Sequence, residues 1–264
     1  TFFDDSSEVA KNYFQNGVNP YNSAIFKRNA TRVVVEGIKY RIPLLYEKGM
    51  LLFRIRPVKI LPNGQRICGT WTSDQFQGDS SFIYATTGHE QTINWQASTT
   101  FAEEGKRKSV VSYFDGSSKN RQTVTKINTD SVSIVAETIY DFQGRPEVST
   151  LPSPTLDSAI FYHRFYNTNQ SGISYSWHDL DSAGVGCILG PKVMSNASGS
   201  SRYYSYNNPL KANLPYSNIP EAFGFPFSQT AYTQDLTNRV RASAGPGNTH
   251  HFGNADQRYT KYLY

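Results

Sequence analysis

Residues 136–148 read AETIYDFQGRPEV, and this run constrains the fold more than any other. Strand-forming residues lead into Tyr-Asp, two residues follow, then Gly-Arg and a second strand-like run. With Asp141 first in a type I turn, Phe142 and Gln143 are central and Gly144 closes the reversal. Asp suits the first position because its carboxylate accepts the backbone N–H two residues on. Gly suits the left-handed conformation through which a three-residue hairpin rejoins its ladder at a bulge. Tyr140 and Arg145 flank the turn. The guanidinium is expected to lie over the Tyr140 ring and reach Asp141, an exposed clamp of roughly 0.2–1 kcal/mol.

The same pattern recurs at irregular spacing. AYTQDLTNRVRA carries Tyr232, Asp235, Asn238 in place of Gly, and Arg239. Asn tolerates the left-handed region better than most residues. SYFDGSSKNRQTV carries Tyr113, Asp115 and, after what reads as a longer loop, Arg121. HDLDSAGVGC offers Asp181 and Gly184, with Val where Arg would stand. These are degenerate hairpin repeats, without the fixed period of a propeller or solenoid.

Composition agrees. Tyr 18, Phe 16, Gly 19 and Pro 13 suit a β-rich chain with many turns. Residues 5–17 read as one short helix. Beyond it, RVVVEGIKYRIPLLYEKGMLLFRIRPVKILPNGQRICGTW reads as a meander with reversals at Gly37, Gly49 and Gly64. Alternation in MLLFRIRPV puts Leu51, Phe53 and Ile55 on one face and Leu52, Arg54 and Arg56 on the other, the arginines toward solvent. The polar stretch 97–109 marks a boundary between a hairpin-rich region, residues 1–104, and a repeat-like strip, 105–264. SNASGSS, 195–201, reads as a mobile surface loop. The fold class expected is all-β, a curved antiparallel sheet of hairpins.

The longer blocks carry a resemblance. Tyr-Asp-x-x-Gly-Arg is the signature of RHS, or YD-repeat, proteins. TFAEEGKRKSVVSYFDGSSKNRQTVTKINTDSVSIVAETIYDFQGRPEVSTLPSPT and SNASGSSRYYSYNNPLKANLPYSNIPEAFGFPFSQTAYTQDLTNRVRASAGPGNTHHFG resemble the segment that precedes the main repeat array in RHS-repeat proteins of Bacteroidota. The resemblance covers nearly the whole chain. It implies an antiparallel strip coiling into a hollow shell around a cargo, often a toxic domain or an unfolded enzyme, in secreted or cell-surface proteins of polymorphic toxin systems. With few recognisable repeats and no visible self-cleavage core or effector tail, the chain reads as a wall segment. Its expected partners are the remainder of the same polypeptide or its cargo, and an outer-membrane secretion or surface complex. Asp130-Ser131-Val132, Asp157-Ser158-Ala159 and Asp181-Ser182-Ala183 resemble the Asp-Ser-aliphatic sites at which Bacteroidota O-glycosylate exported proteins, which makes Ser131, Ser158 and Ser182 candidates.

Other constellations carry less. The net charge of +5 is spread thinly, and the longest basic run is Lys106-Arg107-Lys108, so nucleic acid is not an expected partner. No apolar run approaches the roughly 18 residues that cross a bilayer, so membrane insertion is not expected. The opening TFFDDSSEV, without Met or a basic-then-apolar leader, reads as part of a longer or processed polypeptide. Cys68 and Cys187 suit either one disulfide or two small residues buried in apolar strands. His178 with Asp179 and Asp181, or His250-His251, are the metal candidates, but neither pair has the spacing that puts ligands on one face. His89-Glu90 near Trp95 is an acid–base candidate beside a turn.

The expectation is therefore a non-catalytic structural segment without cofactor. One alternative is a cell-surface module that recognises glycan or an outer-membrane partner through Tyr175 and Trp177. Another is a metal-dependent enzyme built on His178.

Overall fold

The computed structural model describes residues 2–4, 30–35, 37–40, 42, 44–46, 48–72, 83–103, 106–156, 158–180, 190–213 and 216–264. The helix expected over 5–17 lies outside them. The chain divides into two units, residues 1–91 and 92–264. Strand pairing among the described residues is antiparallel, the sheets are open, and the fold is all-β. No helix among the described residues is long and apolar enough to cross a membrane.

In the first unit, β1 (Phe2–Asp4), β2 (Lys48–Leu52) and β5 (Ile83–Thr87) form a three-stranded sheet. β3 (Val58–Ile60) and β4 (Arg66–Cys68) form a hairpin across the Asn63-Gly64 turn. Gly64 takes φ +80, and its N–H donates to the Leu61 carbonyl at 2.9 Å. Lys48-Gly49 lies inside β2 and makes no reversal. The expected faces of 51–56 are not kept. Leu51 and Leu52 are both buried, Ile55 is exposed, and the Arg54 and Arg56 guanidiniums sit 4.1 and 4.4 Å from the Trp71 ring centre. The indole shelters two cations that alternation alone assigns to water. Cys68, read as either disulfide-bonded or buried, is exposed, as are the other residues of β4.

The second unit holds a nine-stranded sheet. Its members are β6 (Asn94–Phe101), β7 (Arg107–Phe114), β8 (Asn120–Ile127), β9 (Ile134–Tyr140), β10 (Pro146–Thr150), β11 (Ser153–Pro154), β12 (Phe227–Tyr232), β13 (Val240–Ala244) and β14 (Thr260–Lys261). Neighbours run β6-β7-β8-β9-β10-β12-β13-β14, with β11 on β9. The described residues of 97–109 belong to the β6–β7 hairpin, and the chain divides ahead of it. Its Thr residues are good strand formers, and polarity suits an exposed edge as well as a linker.

One face of this sheet is buried with period two. Val111, Val124 and Val135 lie side by side across β7, β8 and β9, each fully buried. Burying each such side chain contributes about 1.5–3 kcal/mol. Further along, Ile139, Val148 and Phe227 pack against Tyr175, Leu180, Met194 and Phe225. These last four come from the long segment between β11 and β12, which folds back over the sheet. The stretch expected as a mobile loop, 195–201, belongs to this cover. It enters a short helix, α1 (Gly199–Tyr203), in which Ser200 and Ser201 are buried. The Ser200 hydroxyl donates to the Leu151 carbonyl at 2.9 Å. A Cβ on Gly199 would stand 2.2 Å from the Tyr166 carbonyl oxygen. Small polar residues here permit close approach, a role that composition does not separate from a solvated loop.

Candidate functional site

β7–β8, β9–β10 and β12–β13 all reverse on the same side of the sheet, so their turns form a row. The first two hairpins share one geometry, with three residues between the bonded ends, and the third spans five. Asp115 N–H donates to Lys119 O at 3.0 Å, Asp141 N–H to Arg145 O at 2.9 Å, and Thr233 N–H to Arg239 O at 2.9 Å. Each ladder slips by one residue just beyond, between Tyr113 and Phe114, Pro146 and Val148, and Ala231 and Tyr232. These are the bulges that a left-handed turn residue produces. Ser118, Gly144 and Asn238 supply it, at φ +60, +78 and +57.

The common geometry corrects several expectations. The turn at Asp115 is not longer than that at Asp141. Arg121 instead stands two residues further down its strand, and the two-residue period returns it to the face of Asp115. Its Nε donates to Asp115 Oδ2 at 2.7 Å. The position equivalent to Tyr140 and Tyr232 is Phe114. Tyr113 is fully buried in the sheet, its ring 5.5 Å from that of Tyr162. In the third hairpin Thr233 takes the place of Asp141. Asp235 accepts from the Thr237 N–H and hydroxyl at 3.2 and 2.7 Å, and its contacts stay local.

Asp141 is more sheltered than Asp115. Its Oδ1 accepts from Gln143 N–H at 2.9 Å and Arg145 N–H at 2.8 Å, while Oδ2 takes Arg145 Nε and Nη2, each at 2.7 Å. The pair is sheltered, with side chains 8% and 16% exposed, rather than the exposed clamp read from the sequence. At Asp115, burial pushes the carboxyl up, but donation from Ser117, Lys119 and Arg121 outweighs it and holds the group at about 2. Hydrogen bonds from Thr233 and Thr237 hold Asp235 at about 2 as well.

The arginines do not cover their own tyrosines. Arg121 lies 5.0 Å from the Tyr140 ring centre, Arg145 4.4 Å from Tyr232, and Arg239 5.1 Å from Tyr264. Arg121 and Arg145 thus cover the tyrosine of the next strand in the sheet, and Arg239 that of the segment just after β14. The same tyrosines donate backward, to Asn120 O at 3.0 Å, Pro146 O at 2.9 Å and Val240 O at 3.2 Å. Neighbouring turns also touch. Lys119 Nζ occupies the space a Gly144 side chain would fill, and Arg145 Nη1 donates to Asn238 Oδ1 at 3.3 Å. The row is an interlocked series in which each hairpin holds the next.

No family model, curated protein or solved structure matches this chain.

A second polar cluster lies inside the sheet face. Glu137, opposite Gln122 across β8–β9, takes Gln122 Nε2 at 2.6 Å and Asn167 Nδ2 at 2.7 Å. Backbone bonds orient both amides: Gln122 Oε1 accepts from His163 N–H, and Asn167 Oδ1 from Ser200 N–H. Burial raises Glu137 to about 7, against the pull of Asn167 and Gln122. The cluster ties the sheet to its cover. Sequence reading missed it, since one Glu in a strand looks solvent-facing.

The remaining candidates fall apart in space. Asp179 is buried in a 3-10 turn, Trp177–Asp179, where it accepts from Ser176 N–H at 3.1 Å and Asn169 Nδ2 at 3.3 Å. His178 stacks on Trp177 at 3.6 Å. His251 stacks on Phe225 at 3.9 Å, while His250 Nδ1 meets the Arg258 carbonyl at 3.1 Å. At His89 burial lowers the pKa more than Glu90 raises it. Among the described residues no group of three His, Cys, Asp or Glu side chains could hold a metal ion. Tyr175, one of the two expected glycan-binding aromatics, is a core residue whose hydroxyl donates to Lys192 O at 2.5 Å. Ser131 is exposed in the β8–β9 connection and Ser158 half-buried. Asp181, Ser182, Gly184 and Cys187 lie outside the described residues.

Proposed function

We propose that this chain is a non-catalytic wall segment of an exported RHS-type shell, which encloses or presents a cargo at or beyond the cell surface. The observation that carries the reading is the forward clasp: Arg121, Arg145 and Arg239 each cover a tyrosine further along the chain, Tyr140, Tyr232 and Tyr264. Such linkage stabilises a strip of hairpins as a continuous wall, and its charged groups are spent on one another. The open edges of the sheet suit continuation by further strands, because an uncovered edge invites aggregation. The test is the parent polypeptide isolated from its native source. A product extending beyond Tyr264 with more Asp-led hairpins, together with a protease-protected cargo, is expected. A parent polypeptide that stops at Tyr264 and encloses nothing overturns the reading.

A cell-surface binding module is the second reading, favoured by the exposed Trp177 plate backed by His178. Glycan-array binding that Trp177→Ala abolishes would establish it.

A further inference from the structure

One cavity in the second unit, about 440 Å³ in volume, lies between the segment 154–166 and the stretch 197–210. That volume falls within the range of ordinary ligand sites, roughly 300–1,000 Å³. Its equipment is one-sided. Phe161, Phe165 and Tyr203 line it with rings, and Leu156 adds an aliphatic wall. Leu156, Phe161 and Phe165 are 66%, 39% and 59% exposed, an apolar group left open to solvent at one place. Such a patch is uncommon without a function.

The charged groups are donors. Arg164 and Arg202 both line the cavity, and among the described residues no Asp or Glu does. Neither guanidinium has an acidic partner among the described residues. Arg164 lies 5.5 Å from the Phe165 ring centre, so one wall combines a flat ring with a cation. Asn208 adds a further donor in the wall. Its Oδ1 accepts from Leu210 N–H at 2.9 Å, which fixes the amide's orientation, and its buried Nδ2 finds no acceptor. A buried donor left unmatched costs about 1–3 kcal/mol, so residues of this kind mark places where an acceptor belongs.

We propose that this cavity binds a ligand carrying a carboxylate on an apolar or aromatic body. The guanidiniums take the charge, for which their planar fork is suited, and the rings take the body. The carboxylate has two sources: an acidic side chain beside an aromatic one in a peptide, or a free aromatic acid.

The experiment titrates the 264-residue chain calorimetrically with naphthoate and with acetyl-Phe-Asp-Phe-amide. Each is paired with its neutral counterpart, naphthamide and acetyl-Phe-Asn-Phe-amide. At least one acid is expected to bind at submillimolar concentration, about tenfold or more tighter than its amide, with affinity falling as salt rises. The tighter acid identifies the source. Arg202→Gln is expected to remove most of the acid-over-amide preference with an unchanged thermal melt. Arg164→Gln, at an exposed residue, gives the same readout should the first variant not fold. Equal binding of acid and amide, a preference that survives both substitutions, or no heat from either acid at millimolar concentration overturns the proposal.

Discussion

The Arg145 guanidinium sits 4.4 Å from the centre of the Tyr232 ring while its Nη2 holds Asp141 at 2.7 Å. One side chain therefore closes its own turn and grips the next hairpin, although the long cover segment separates the two in sequence. A double-mutant cycle of Arg145→Gln and Tyr232→Leu should return a coupling of about 0.5–2 kcal/mol in urea unfolding. Arg145→Lys should lose most of it, because an ammonium cannot both fork onto Asp141 and lie flat on the ring. Additive single-mutant effects would show that the stacking contributes nothing.

Gly144 adopts φ +78 with Lys119 Nζ in the space of its missing side chain. Gly144→Val should lower stability by about 1–3 kcal/mol, since a β-branched residue resists positive φ and Lys119 must also move. Gly144→Asn should cost less, because Asn238 holds the same conformation at φ +57. Melting temperatures order the three; equal values for wild type and Val would remove the turn assignment.

Gly199→Ala tests the cover. Its φ is +54 and a Cβ would press on the Tyr166 carbonyl at 2.2 Å. A loss of about 2 kcal/mol or more is expected, as for other overpacked sites. A mobile loop at this place would tolerate the methyl.

The Glu137 cluster predicts a pH dependence. Burial raises this carboxyl from 4.5 to about 7 in the folded chain. Between those values the folded state holds a proton that the unfolded state releases. Stability is therefore fully present below about 4.5 and declines as pH rises through about 7, by up to about 3 kcal/mol. Unfolding followed from pH 5 to 8 should show this decline, and Glu137→Gln should flatten it. A variant with the same pH slope as the parent would place the titration elsewhere.

Ser131 offers a chemical check on export. It is exposed beside Asp130, whose carbonyl accepts from Lys126 Nζ. Native material should carry hexose-sized mass additions that Ser131→Ala reduces. An intact mass without such additions ends that reading.

Much of the strip was legible in its residues. Asp141 and Gly144 mark their turn because the backbone needs an acceptor at the first site and positive φ at the last, and these demands select residue types. Asn238 was readable for the same reason. Ser118 was not, since Ser carries no strong left-handed preference and is held there by the Asp115 bonds. Tyr113 was misassigned because neighbouring aromatics, Tyr113 and Phe114, differ only in which face they meet, and a bulge decides that. The destination of the arginines was hidden too: local spacing suggested Tyr140 for Arg145, whereas strand order brings Tyr232. Glu137 gave no signal, as its partners Gln122 and Asn167 come from remote segments.

The clasp points one way along the chain. Arg121 waits for Tyr140, Arg145 for Tyr232 and Arg239 for Tyr264, never the reverse. In a polypeptide made amino end first, each of these arginines emerges before the ring it covers, so the stacking that joins one hairpin to the next waits for the later segment even where the turn itself is already closed.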